Sequence, residues 1–276
     1  MDAVAGGPAD WGVVWRRAPE ARLRLFCLPH TGGGAVTYRW WAQQLAPAIE
    51  VVAIRLPGRE ARLREPPLTR LADLVPALVQ AVEPWLDRPH AWLGHSMGAL
   101  IAFEACQLLR RRGLAEPLRL IVAGRRAPHL ADREPPVHDA PAADLVARLR
   151  ELNGTPREVL EDSAALSMLL PMLRADYAVS ETYRWHPAPP LDCPISVLGG
   201  TDDPLATTEE LRAWRQHTTA SRTVRVFGGG HFFLHEARTQ ILPAIRADLT
   251  CPPPPAGPWP TAPGSRTSTA STGRPR

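Results

Sequence analysis

Lysine is absent from this sequence of 276 residues, and all 32 basic side chains are arginine. Together with 31 prolines, this bias is typical of a GC-rich bacterial genome and indicates no particular chemistry. Cysteine is scarce: it occurs only at positions 27, 106, 193 and 251, with no metal-ligand spacing. We therefore expect reduced thiols in a cytoplasmic protein, with no metal held by the cysteines.

Two further absences narrow the function classes. The sequence does not start with a basic segment and a long apolar run, so we expect no secretory signal, and no apolar stretch approaches the ~20 residues that span a bilayer. Residues 251–276 carry three arginines and no acid, and without them 29 basic residues face 28 acidic ones. The net charge of +4 is therefore weak support for a nucleic-acid partner. We expect a protein that binds neither nucleic acid nor membrane, with a monomer as the default oligomeric state.

The chain divides into three parts by composition. Residues 1–20 are expected to be loosely structured, with Trp11 and Trp15 available to pack on a core. Residues 21–250 are expected to form one α/β domain. Residues 251–276 are rich in Pro, Ser, Thr and Gly, and we expect disorder because they cannot bury enough apolar surface to offset the loss of chain entropy.

Short apolar segments alternate with helical periods in the central part, which predicts a mostly parallel sheet with helices on both faces. The predicted strands are residues 23–28, 50–54, 91–93, 118–123, 195–198 and 223–227. The predicted helices are residues 38–45, 71–86, 97–112, 209–217 and 236–249. Residues 125–190 interrupt the alternation with three helical segments, 142–152, 156–161 and 163–177, and are expected to form a helical lid.

The most informative motif is Gly94-His95-Ser96-Met97-Gly98, which follows a predicted strand and precedes a predicted helix. Such a turn holds the serine in a strained, accessible position at the end of a sheet strand, and its glycines avoid Cβ clashes. Serine is a weak nucleophile at neutral pH, so a base and an oxyanion site are expected elsewhere in the chain.

The base is predicted to be His231, in a glycine-rich loop directly after a late strand. The acid that orients it is expected after the preceding strand, where Asp202 and Asp203 are adjacent. We favour Asp203 because it precedes a proline in the turn, and Asp202 would then bond its own turn. The alternative is Asp202 as the acid. The chain order Ser96, Asp203, His231 is that of α/β-hydrolases.

Two backbone amides are predicted to bind the oxyanion. One is the N–H of Met97, the residue after the serine, and the other is the N–H of Thr31, in the glycine-rich loop after the first long strand. This loop lacks the Gly-Lys-Ser/Thr of a phosphate-binding loop and a dinucleotide fingerprint, so a nucleotide is not expected.

Several motifs together resemble the type II (external, editing) thioesterases of polyketide and non-ribosomal peptide pathways. They are Leu-Pro-His-Thr-Gly-Gly-Gly at 28–34, Arg-Leu-Pro-Gly-Arg-Glu at 55–60, Gly-His-Ser-Met-Gly-Ala at 94–99, Leu-Arg-Ala-Asp-Tyr at 173–177, and the segments 152–156, 199–204 and 229–233. Thr31 departs from the alanine that is frequent in this family, a change that a backbone donor tolerates.

The resemblance implies an α/β-hydrolase fold with a helical lid, and no cofactor. It implies hydrolysis of aberrant or stalled acyl groups from the phosphopantetheine arm of an acyl or peptidyl carrier protein. Alternatives are a medium-chain fatty-acyl thioesterase, a generic carboxylesterase, and a non-hydrolytic partner that only binds carrier proteins.

Two questions stay open at this level. The apolar side chains of residues 166–173 are equally consistent with packing on the domain and with lining an acyl pocket. Carrier proteins are usually acidic, so arginines are candidates for docking, with an ordinary solvated surface as the alternative reading. The candidates are Arg55, Arg59, Arg62, Arg64, Arg125 and Arg126.

Overall fold

A computed structural model describes residues 11–250 of the chain. The expectations for residues 1–10 and for the Pro-rich segment 251–276, including Cys251, lie outside the described residues.

One seven-stranded sheet organises the described part. Its strands are β1 (Gly12–Val13), β2 (Leu23–Leu28), β3 (Ile49–Ile54), β4 (His90–His95), β5 (Arg119–Ala123), β6 (Ile195–Gly200) and β7 (Arg222–Phe227). They lie in the order β1-β3-β2-β4-β5-β6-β7, and every neighbouring pair is parallel except β1 with β3. The order reverses between β2 and β4, and ligands of open α/β sheets bind at the carboxyl ends of strands at such a point.

Helices follow most strands, as the alternating pattern predicts. They are α1 (Arg39–Leu45), α2 (Leu71–Val82), α3 (Met97–Arg111), α4 (Ala142–Leu152), α5 (Arg157–Glu161), α6 (Ser163–Glu181), α7 (Thr208–Arg212), α8 (Phe233–Glu236) and α9 (Arg238–Thr250). No helix of residues 11–250 is long and apolar enough to cross a membrane.

The core has two layers because the central strands are buried on both faces. In β4, Trp92 contributes to one apolar cluster, and Leu93 contributes to the cluster on the opposite face. Helices α2 and α3 cover the first face, whereas α1 and α9 cover the second. The sheet is therefore a rigid base for the loops at its carboxyl edge.

The structure differs from the sequence expectations at several places. For example, the predicted helix at 209–217 is α-helical only over Thr208–Arg212 and continues as a 3-10 helix over Ala213–His217. Residues 11–20 are more ordered than expected, because Gly12 and Val13 pair with β3 and Trp11 is buried against the core. The predicted helix at 71–86 ends its α-helical part at Val82 and continues as a 3-10 turn that contains Pro84. The predicted helix at 236–249 begins only at Arg238, after the short separate helix α8.

Helices α4 to α6 form the predicted helical insertion above the carboxyl edge of the sheet. They have an apolar cluster of their own, which includes Leu145, Leu149, Leu160 and Met172. Asp162 caps α6 by accepting hydrogen bonds from the amides of Ala164 and Ala165. Helix α6 also contacts α3, so the insertion is joined to the main domain.

Candidate active site

Ser96 lies in a sharp turn between β4 and α3, at the point where the strand order reverses. Its backbone has φ 54° and ψ −114°, a conformation that costs about 1–3 kcal/mol in a residue other than glycine. A Cβ on Gly98 would lie 2.4 Å from the carbonyl oxygen of Leu28, and one on Gly94 would lie 2.1 Å from the carbonyl oxygen of Gly98. The glycines are therefore required by backbone contacts, as the motif predicts.

Two loops from neighbouring strands meet beside this turn. The amide of Asp202 donates to the carbonyl of Gly229 at 2.9 Å, and the amide of Thr201 donates to the carbonyl of Phe227 at 2.8 Å. A Cβ on Gly200 would lie 2.4 Å from the carbonyl oxygen of Gly230. This close approach of the loops after β6 and β7 brings their side chains together.

Ser96, His231 and Asp203 form a continuous hydrogen-bonded chain. Nε2 of His231 lies 2.9 Å from Oγ of Ser96, and its Nδ1 lies 2.9 Å and 3.0 Å from Oδ1 and Oδ2 of Asp203. A carboxylate only accepts hydrogen bonds, so Nδ1 carries the proton and Nε2 is free to accept from the serine hydroxyl. All three side chains are buried. The arrangement matches the nucleophile–base–acid geometry of serine hydrolases.

Asp202 does not take part in this chain. Its side chain is exposed and accepts a hydrogen bond from the hydroxyl of Thr201 at 2.8 Å, within its own turn. The structure thus places Asp203, and not Asp202, against His231, in agreement with the preferred assignment.

Two further buried histidines, His95 and His30, lie near His231, and their rings are neutral at pH 7. Nε2 of His95 lies 2.8 Å from the carbonyl oxygen of His231 and anchors the histidine loop to the serine turn. Burial lowers the pKa of His95 well below its ordinary value, and burial together with the nearby His231 lowers that of His30 to about 4. Sequence reasoning missed the anchoring by His95, although its position next to the serine was a signal.

The amides of Met97 and Thr31 both border the serine. Met97 is the first residue of α3, and Thr31 lies in the loop after β2, beside Ser96 in the same cavity linings. Among residues 11–250, neither amide donates a hydrogen bond to another protein group. Both donors are therefore free for a ligand oxygen, which is what the oxyanion prediction requires.

Two cavities of different character meet at the serine. One has a volume of about 290 Å³ and continues under the helical insertion. Its walls are mostly apolar and include Leu149, Leu152, Val159, Leu169, Met172 and Leu173. The other has a volume of about 80 Å³ and is lined by charged groups, among them Arg125, Arg126, Glu134, Arg148 and Glu181. Thr31, Ser96, Tyr177 and Leu205 line both.

Both readings of the apolar residues 166–173 hold. Leu169, Met172 and Leu173 line the cavity at the serine and also belong to the apolar cluster of the insertion, whereas Leu166 and Leu170 pack in that cluster without lining the cavity. Met168 does neither, because it is 72% exposed to solvent.

Three of the six arginines proposed for docking are buried and structural. Arg59 is 5% exposed and forms a bidentate pair with Asp176 of α6, while Arg62 binds Glu65 and lies 4.2 Å from the ring centre of Trp11. Arg126 is buried and donates to two backbone carbonyls. A buried guanidinium cannot meet a protein surface, so the docking hypothesis is wrong for these three residues. The pair between Arg59 and Asp176 was missed because its members are 117 residues apart.

The donor set of the site offers nothing that suits a metal ion. Among the described residues, no group of three or more His, Cys, Asp or Glu side chains is arranged to hold one. The three cysteines at positions 27, 106 and 193 are buried and unpaired by disulfides.

The site combines a serine turn, a histidine and an aspartate at the carboxyl edge of a mostly parallel sheet. This combination defines a hydrolase of the α/β type. The sequence profile of the thioesterase domain matches residues 23–249, and the chain belongs to this family of thioester hydrolases.

Relatives and solved structures agree with this assignment. The chain is 41% identical over 232 residues to the gramicidin S biosynthesis protein GrsT of Aneurinibacillus migulanus, covering 84% of this chain and 91% of the relative. It is 40% identical over 237 residues to the thioesterase PikA5 of Streptomyces venezuelae, covering 84% of each. The solved structure of the type II thioesterase BorB from the borrelidin biosynthetic cluster superposes with a TM-score of 0.80 at 41% identity, covering 87% of this chain and 97% of BorB.

Proposed function

We propose that the chain hydrolyses aberrant or stalled acyl groups from the phosphopantetheine arm of acyl or peptidyl carrier proteins in polyketide or non-ribosomal peptide synthesis. The observation that carries this proposal is the position of Ser96 at the junction of an apolar and a charged cavity. An acyl thioester needs an apolar site for its acyl group and a polar passage for the amides of the pantetheine arm. The relatives in gramicidin S and borrelidin biosynthesis support the same assignment.

The proposed mechanism follows from the hydrogen-bonded chain. His231 takes the proton of Ser96 through Nε2 as Oγ attacks the thioester carbonyl carbon, and Asp203 stabilises the imidazolium through Nδ1. The amides of Met97 and Thr31 bind the oxyanion of the tetrahedral intermediate. The C–S bond breaks, the proton on His231 passes to the departing thiolate, and an acyl-serine ester is left.

Water completes the turnover in the same site. His231 removes a proton from a water molecule, whose oxygen attacks the acyl-serine carbonyl, and returns the proton to Oγ of Ser96 as the free acid leaves. A thiol of pKa ~8.5 is a much better leaving group than an alcohol, so the site needs no further acid for the first step.

The test measures hydrolysis of a short and of a medium-chain acyl group on a carrier protein, on N-acetylcysteamine, and in a p-nitrophenyl ester, by release of the free thiol or phenol. The proposal predicts the highest kcat/KM for the carrier-bound thioester and its loss in Ser96→Ala. A preference for the oxoester would favour the carboxylesterase alternative, and a strong preference for medium-chain acyl groups would favour the fatty-acyl alternative. Hydrolysis that survives in Ser96→Ala would overturn the proposed mechanism.

A further inference from the structure

One buried ion pair joins three separate segments beside the serine. Oδ2 of Asp176, on α6 of the helical insertion, accepts a hydrogen bond from the amide of Gly32 at 2.8 Å and one from Nη1 of Arg59 at 2.9 Å. Oδ1 of Asp176 accepts from Nη2 of Arg59 at 2.5 Å. Nη1 of Arg59 also donates to the carbonyl of Gly33 at 2.8 Å. The insertion is therefore bonded directly to the loop after β2.

The same loop segment carries the Thr31 amide. Residues 30–33 form a tight turn, closed by a hydrogen bond from the amide of Gly33 to the carbonyl of His30 at 2.9 Å. Gly32 has φ +77° at the third position of the turn, as type II turns require. The peptide unit between His30 and Thr31 is planar and trans, so its N–H points opposite to its carbonyl. The closing hydrogen bond thus fixes the direction of the Thr31 N–H.

Asp176 and Arg59 hold this turn in place, because they bond two of the peptide units that follow the Thr31 amide. Type I and type II turns share the closing hydrogen bond and differ mainly in the direction of the central peptide unit, here the one between Thr31 and Gly32. Its N–H is the group that Asp176 accepts, so a flipped unit would place a carbonyl oxygen against the carboxylate. Leu173, one helical turn before Asp176, also packs on Gly32: a Cβ there would lie 2.9 Å from Cδ2 of Leu173.

We propose that Asp176 is a positioning residue for the oxyanion site, acting with Arg59 to aim the Thr31 amide at the reacting carbonyl. This inference rests on the proposed function, because it needs the Thr31 amide to be an oxyanion donor. It gives the helical insertion a second task besides lining the acyl cavity. A segment of the insertion sets the geometry on which transition-state stabilisation depends.

The test replaces the pair in two ways. Arg59→Leu with Asp176→Leu removes both charges together, which avoids leaving one of them buried alone. Asp176→Asn keeps the size of the side chain but removes the charge that holds Arg59. It is the variant to measure if the double variant does not fold. The matched control is Arg225→Leu with Asp248→Leu, which removes a bidentate pair with distances of 2.6 Å and 2.8 Å between the edge strand β7 and α9.

The readouts are kcat and KM for an acyl-N-acetylcysteamine thioester and the Ki of an alkyl boronate, which forms a tetrahedral adduct with the serine. Loss of one oxyanion donor typically lowers kcat by about 10²–10³-fold. We expect the Leu double variant to lose about 10²-fold in kcat and in boronate affinity, with KM changed less than threefold. Asp176→Asn is expected to lose less in both kcat and boronate affinity. The control is expected to keep both values within threefold.

Two results would overturn the inference. One is a Leu double variant, or an Asp176→Asn variant, whose kcat equals that of the control. The other is a fall in kcat with boronate affinity unchanged, since this shows that the tetrahedral site is intact. Failure of the proposed function is a distinct outcome: the unmodified enzyme would then fail to hydrolyse the thioester, or Ser96→Ala would retain its activity.

Discussion

Asp203→Asn is the substitution whose effect follows most directly from the hydrogen bonds. Oδ1 of Asp203 accepts from the amide of Leu205 at 2.9 Å. An asparagine is expected to keep its carbonyl oxygen on that amide, which puts its NH₂ group in the place of Oδ2, 3.0 Å from Nδ1 of His231. Because that group only donates, a protonated Nδ1 would face another N–H, and the tautomer in which Nδ1 accepts and Nε2 carries the proton is favoured.

The moved proton disables the base. Nε2 lies 2.9 Å from Oγ of Ser96 and, once protonated, cannot accept the hydroxyl proton. Loss of the correct tautomer in a triad of this kind lowers kcat by about 10⁴-fold, which corresponds to about 5 kcal/mol of activation free energy. We therefore expect Asp203→Asn to reduce kcat by ~10³–10⁴-fold with little change in KM.

The assay is steady-state release of thiol from an acyl thioester at pH 7.5, with urea unfolding to confirm that each variant is folded. Asp202→Asn is the matched control: it makes the same chemical change one residue away, on an exposed side chain that bonds only within its own turn. It is expected to stay within about twofold of the parent. An Asp203→Asn variant within tenfold of the parent, or a larger loss in Asp202→Asn, would refute the assignment.

Three further predictions test the turn, the cavity and the buried histidines. Gly98→Ala places a Cβ 2.4 Å from a backbone oxygen. We therefore expect a lower unfolding free energy in urea and a kcat reduced at least tenfold. Parental values of both quantities would show that the turn has room for a Cβ at this position. Phe232→Ala removes a ring that packs on Gly154 and lines the apolar cavity. We expect the acyl length with the highest kcat/KM to shift towards longer chains. An unchanged length profile would show that the ring does not limit the acyl group. Burial lowers the pKa of His90 to about 4, so the folded state favours the neutral ring and stability falls as pH drops below 6.5. At pH 5 this loss of folding stability is about 2 kcal/mol. We therefore expect the unfolding free energy of His90→Gln to fall by about 2 kcal/mol less than that of the parent protein between pH 7.5 and pH 5.

The sheet was predictable because its strands are short apolar runs that end at glycine or proline. All six predicted strands occur, with ends displaced by up to two residues. The missed strand β1 has only two residues and lies antiparallel at the edge, so it carries too few side chains for a periodic pattern.

The serine, histidine and acid were predictable for a related reason. Each follows a strand in a loop whose glycines and proline set the backbone path, so their meeting at one sheet edge follows from the parallel topology. The choice between Asp202 and Asp203 depended on a single turn, and the structure supports it through the contact with His231.

The role of Arg59 could not be predicted in this way. Its surroundings in the sequence are charged and typical of a surface, and its partner Asp176 belongs to an insertion whose position no local pattern determines. The cavity volumes likewise depend on how α4 to α6 pack over the sheet, which side-chain periodicity does not encode. The domain boundaries around residues 20 and 250 and the monomeric state stay predictions.

In the proposed reaction, a carrier-bound acyl group passes through an ester on Ser96. A rapid-quench experiment tests this step: the enzyme is mixed with an acyl-loaded carrier protein and quenched within milliseconds to seconds. The acylated peptide is identified by mass spectrometry while free carrier thiol is counted. We expect the acyl mass on the peptide containing Ser96 before the free acid accumulates, and neither acyl-enzyme nor free thiol with Ser96→Ala. Release of carrier thiol by Ser96→Ala at the parental rate, or an acyl group attached at another residue, would contradict it.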